Sequence, residues 1–81
     1  MNEALNGVLS EFRPALQADG FDLQLDAIQP AGRVVVRVLH GPSACEDCLM
    51  PDERLVAMLK QAMQRVVPDV SEVVLKHDHP L

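Results

Sequence analysis

The run Phe21-Asp22-Leu23-Gln24-Leu25-Asp26-Ala27, the step Gln29-Pro30-Ala31-Gly32-Arg33 and the run Val34-Val35-Val36-Arg37-Val38-Leu39 decide the fold. In the first run, Phe21, Leu23, Leu25 and Ala27 alternate with polar residues. A period of two marks a strand with one buried face. Pro30 presets its own backbone angle and Gly32 supplies a positive one, so residues 29–33 form a turn. The β-branched run from Arg33 to Leu39 then returns as the second strand of an antiparallel hairpin. With Val34, Val36 and Val38 turned inward, Arg33, Val35, Arg37 and Leu39 face out.

Upstream, Leu5, Val8, Leu9, Phe12 and Leu16 recur every three or four residues and line one face of a helix from about Asn2 to Asp19. Asn2 caps its start, Glu3 suits the first turn, Pro14 is expected to kink or segment it, and Gly20 ends it. Downstream, a Gly/Pro/Ser loop precedes a second helix that opens at Pro51 and ends near Val67, before Pro68. Leu55, Leu59, Ala62, Met63 and Val66 form its buried stripe. Val70 to Lys76 reads as a third strand, with Val73 and Leu75 on one face, and His77 to Pro80 as a polar tail. The predicted fold is therefore α+β, a two-layer sandwich in the order α-β-β-α-β, with both helices on one face of a three-stranded sheet. The third strand, arriving after a crossover helix, is open to either sense of pairing.

At 81 residues the chain has room for one small domain, 1–81. Hydrophobic residues make up 48 %, with no Trp or Tyr and only two Phe, so the core must be aliphatic. The net charge of −5 argues against a nucleic-acid partner, whose phosphates demand a basic face. No apolar run has the length to span a bilayer. The start Met1-Asn2-Glu3 lacks the features of a signal peptide, which predicts a cytoplasmic, reducing setting. There a pair of cysteines serves a metal, a cluster or redox chemistry before it serves as a structural staple.

The only two cysteines, Cys45 and Cys48, stand in a C-x-x-C spacing that lets both sulfurs face one point. That geometry suits a metal, an iron–sulfur cluster or a local disulfide. The following helix directs its positive end back at them and favours thiolate. Glu46, Asp47, Asp52 and Glu53 oppose it, and no basic residue lies between Cys45 and Glu53. A dithiol oxidoreductase wants a lowered thiol pKa, so the acids count against thiol–disulfide catalysis and for a site where cationic metal offsets the charge. His77 and His79 project to one side of an extended tail, where a solvated end outweighs membership of a Cys2His2 zinc site. His40, just before the loop, is better placed to support the ligands from behind. The methionines at helical spacing read as core filler, and Asp22, Asp26 and Glu72 as solvated strand residues. No paired acids, Ser–His–Asp set or Gly-rich phosphate loop is visible, so no catalytic residues are expected.

The stretch Phe12-Arg13-Pro14-Ala15-Leu16-Gln17-Ala18-Asp19-Gly20 resembles the R-P-x-L-x-x-D-G-G segment in the C-terminal domain of NifU-like (Nfu-type) iron–sulfur proteins. The order that follows is similar too: an acidic residue opening a strand (Asp22), a second strand, a Gly-led C-x-x-C loop, an amphipathic helix, and a last strand after Val67-Pro68-Asp69-Val70. Phe21 stands where a second Gly is usual, Pro42-Ser43 lengthen the loop, Glu46-Asp47 replace small residues, and Leu49 stands where proline often follows. The resemblance implies a non-enzymatic scaffold or carrier that assembles a [4Fe–4S] cluster or passes it to iron–sulfur apoprotein clients, with Cys45 and Cys48 as ligands. Such a cluster needs four thiolates, and this chain has two. A symmetric homodimer would supply the rest, and the surrounding acids would make the cargo labile. Zinc ranks below the cluster. A thiol–disulfide protein and a metal-free interaction module of the same fold are the other classes.

Overall fold

The computed structural model describes residues 2–42, 44 and 50–78. Its elements are α1 (Asn2–Gln17), β1 (Phe21–Gln29), β2 (Arg33–His40), α2 (Asp52–Val66) and β3 (Glu72–Asp78), in the order the periodicity predicts. The sheet runs β1-β2-β3 with β2 in the centre. β1 pairs antiparallel to β2, while β3 lies parallel to it, which settles the sense left open by the sequence.

Both helices cover one face of this sheet. Leu5, Val8, Leu9 and Leu16 of α1 and Leu55, Leu59 and Met63 of α2 share a buried cluster with Phe21, Leu23, Val34, Val36, Val38 and Val73. Phe12 and Leu75 pack against it in part. The core is aliphatic apart from Phe21, as composition requires, and close packing of this kind is the main stabilising term. Val66 departs from the expected stripe, being 52 % exposed at the end of α2.

Helix α1 is not broken at Pro14 and stops at Gln17, two residues earlier than expected. Gly20 takes a φ of 89° as the chain turns into β1. Asn2 lies inside the helix and does not cap it. Arg13 reaches out of the same helix, its Nε donating to the Leu23 carbonyl at 3.0 Å. It thereby meets a backbone acceptor of the edge strand β1. Pro51 occupies the cap of α2, one residue before the expected position.

The alternation in β1 fails at its far end for a physical reason. A bulge between Leu25 and Ala27 slips the register, so Leu25 pairs with Val36 but Ala27 pairs with Val35. Ala27 therefore lies on the outer face, not with Phe21, Leu23 and Leu25, and Ile28 packs against the core instead. The bulged Asp26 is not a solvated strand residue. Its side chain, 21 % exposed, accepts from Arg37 at 2.8 Å and lies 3.4 Å from Lys76. Arg37 also approaches Asp78 at 3.8 Å, and Arg33 faces Glu72 at 3.6 Å. Val35 faces out as predicted yet is only 3 % exposed, flanked across the register by Ala27 and Val74.

The turn between β1 and β2 is locked to the start of β3. Ala31 carries a φ of 65° and Gly32 one of 79°, so the positive angle is not confined to glycine. The Ser71 amide donates to the Gly32 carbonyl at 3.0 Å, and the Ser71 hydroxyl to the Ala31 carbonyl at 2.5 Å. A side chain at Gly32 would press on the Asp69 carbonyl. Gly32→Ala is expected to destabilise by about 1–3 kcal/mol through strain and displacement of residues 69–71. Gly7, mid-helix and exposed with open space around it, should respond oppositely. Gly7→Ala is expected to stabilise by roughly 0.5–1 kcal/mol. Urea unfolding midpoints check both, and equal signs would contradict this account.

Candidate functional site

Parallel pairing places the carboxyl ends of β2 and β3 side by side, and the crossover returns through the amino end of α2 at the same edge. In open α/β sheets this edge is where ligands gather. The cysteine-bearing segment, residues 41–51, spans from the end of β2 to the start of α2. Cys45, Cys48, Glu46, Asp47 and Leu49 lie outside the described residues, as does His79. Their flanks are described on both sides. Ala44 and Met50 each pack against the core, so the five residues between them connect two anchored points.

The entry to the loop is held by backbone. Gly41 donates to the Gly20 carbonyl at 2.9 Å, and Ala44 donates to the Gly41 carbonyl at 3.1 Å. A Cβ on Gly41 would stand 2.9 Å from the Gly20 oxygen. The glycine that leads the loop and the glycine that ends α1 thus meet, which joins the Asp19-Gly20 step to the cysteine loop. At the exit, the Pro51 carbonyl accepts from the amides of Arg54 and Leu55 at 3.0 and 3.1 Å. Asp52 and Glu53 occupy the first turn, where the helix dipole favours carboxylates.

Three side chains meet at this edge in a chain the sequence does not announce. His40, the last residue of β2, is 7 % exposed and sits edge-on to Phe21, ring centroids 5.0 Å apart. Its Nε2 lies 2.8 Å from Nδ1 of His77. His77 Nε2 lies 2.8 and 2.9 Å from the two carboxylate oxygens of Asp52. An ionised carboxylate only accepts, so His77 Nε2 carries hydrogen and donates. With a neutral His77, its Nδ1 then accepts from His40 Nε2–H, and the chain runs His40 to His77 to Asp52.

His77 is therefore not part of a polar tail. β3 extends through it to Asp78, and the parity of Val73, Leu75 and His77 puts it on the helix-covered face. His40 stands at the loop entry, with its ring against Phe21 and its Nε2 at His77. The missing signal was the length of β3. Once the strand includes His77, the alternation from Val73 aims that side chain at the same face as His40. Among the described residues, no group of three or more His, Cys, Asp and Glu is arranged to hold a metal, and no helix is long and apolar enough to cross a membrane.

Fold and loop together define a class: a two-layer α/β domain with a C-x-x-C segment at the crossover between parallel strands. The chain belongs to the NifU-like domain family, whose match covers residues 6–74. That family is associated with iron–sulfur cluster assembly. Among curated proteins no match is found. The family match takes in α1 from residue 6, the cysteine loop and α2 but ends before His77. Gly41→Ala should drive the loop entry off Gly20 and lower stability by about 1–2 kcal/mol. Amide exchange should quicken at Gly41 and leave α2 unchanged; exchange at the wild-type rate would show that the Gly20 contact is dispensable.

Proposed function

We propose that this chain, residues 1–81 acting as one NifU-like domain, is a scaffold or carrier for an iron–sulfur cluster and not an enzyme. The observation that carries this reading is the family match, which spans the C-x-x-C loop and reaches every element of the α-β-β-α-β order. Cys45 and Cys48 are the proposed ligands, and the cargo is a [4Fe–4S] cluster. Two thiolates per chain cannot complete such a cluster, so two copies share it across a two-fold axis. Ligation that requires both chains stabilises only the pair, so cargo and dimerisation rise and fall together.

A four-thiolate cubane in its usual oxidised state is anionic, and acids beside it favour release. A labile cluster suits a carrier that hands its cargo to apoprotein clients in a reducing compartment such as the cytoplasm. The test is anaerobic reconstitution with iron and sulfide, followed by ultracentrifugation with iron quantified in each peak. Iron is expected in the dimer alone, and Cys45→Ala or Cys48→Ala should lose both iron and dimer. A monomer with a full [4Fe–4S] complement would sink the shared site, and protein that takes up no iron would sink the carrier role.

A further inference from the structure

We propose that His77 is a positioning residue for the cysteine loop: it ties the loop's two ends together through His40 and Asp52 and so sets how tightly the cysteine pair holds a thiophilic metal. The inference rests on the reading of Cys45 and Cys48 as metal ligands, and adds a residue outside the span of the family match.

The geometry is specific. His40 closes β2 immediately before the loop, and Asp52 opens α2 immediately after it. His77 comes from a third element, β3, and each of its ring nitrogens meets one of these two residues at hydrogen-bond distance. Its side chain is only 25 % exposed. His40 in turn is buried against Phe21, so the chain is anchored in the core at one end and at the amino terminus of α2 at the other. The His77 ring also packs at an angle on that of His40, centroids 5.0 Å apart. A planar ring with two opposed nitrogens joins both partners without any backbone rearrangement.

The consequence follows from chain entropy. A loop whose ends are held has fewer conformations to lose when two of its side chains converge on one ion. Residues that orient metal ligands indirectly typically change affinity by about 10–100-fold when removed.

Two measurements test the tie. The probe is Co²⁺ added to the apo chain under anaerobic conditions and followed by its thiolate charge-transfer absorption. Backbone order parameters at Gly41, Ala44 and Met50, all described residues flanking the cysteines, are the metal-free readout. His77→Phe keeps a ring and removes both hydrogen bonds. It should lower the order parameters at Ala44 and Met50 while Leu9 in α1 is unchanged, and weaken Co²⁺ binding about tenfold. His77→Gln, with one donor and one acceptor, should recover part of both effects. Asp52→Ala and Asp52→Asn lose the same charge, but only the second leaves His77 an acceptor, so the alanine variant should bind Co²⁺ more weakly. Equal binding by that pair, or unchanged order parameters in His77→Phe, would overturn the proposal even if His77→Phe proves hard to fold. Failure of the underlying reading looks different: no thiolate band in the wild type, or a band that survives Cys45→Ser.

Discussion

The parallel pairing of β3 with β2 is the constraint from which the rest of this small structure follows. Parallel neighbours cannot be joined by a tight turn, so the chain must cross over, and α2 is that crossover. The segment before α2 then has to begin at the carboxyl end of β2, and β3 must finish beside it. β1 runs antiparallel to β2 and so starts at this same edge, with Phe21 opposite His40. One pairing choice thus gathers the end of α1, the ends of β2 and β3 and the start of α2 around the cysteine loop. Gly20, His40, Asp52 and His77 are neighbours because of topology, although Gly20 and His77 are far apart in sequence.

The two faces of the sheet are stabilised by different physics. The covered face is apolar and aliphatic, and both helices contribute side chains that are fully buried. The open face is held by charges, with Asp26 at the bulge serving both Arg37 and Lys76. Exposed pairs of this kind contribute little each, but Asp26 is largely covered and links all three strands, through Arg37 of β2 and Lys76 of β3. Val35 beneath them shows how an apolar residue is buried on a face that no helix covers: a central strand is flanked on both sides, and small or branched neighbours at Ala27 and Val74 close over it.

Much of this was legible in the chain because strand and helix periodicities differ so plainly around Gly20, Gly32, Gly41 and Pro68. The inward valines of β2 and the stripes of both helices follow from counting positions. The misses have local causes. A bulge at Asp26 shifts parity, and nothing in an alternating run marks where an extra residue will be accommodated, so the alternation alone puts Ala27 on the wrong face. Val66 fits the helical period but is exposed where α2 ends, and the next residue, Val67, packs against the core. The site divides in the same way. The cysteines stand out as proposed ligands by spacing alone, whereas the pairing of His77 with Asp52 and His40 depends on where β3 ends. A polar residue at the end of a strand looks like the first residue of a tail until its partners are in place.

The tie between His77 and Asp52 also changes the electrostatic argument about the thiols. Read from sequence, Glu46, Asp47, Asp52 and Glu53 are four like charges around two cysteines, all opposing thiolate and any anionic cargo. Asp52 and Glu53 have a defined place in the fold, the first turn of α2. Asp52 accepts a hydrogen bond from an imidazole at 2.8 Å and stands at the positive end of α2, and both favour a carboxylate at that position. Glu53 shares that helix end. Glu46 and Asp47, which lie between the cysteines in sequence, fall outside the described residues. Two of the four acids therefore sit where the fold favours their charge, and a sequence count of four opposing carboxylates overstates what the framework sets against cargo in the segment that we propose carries it.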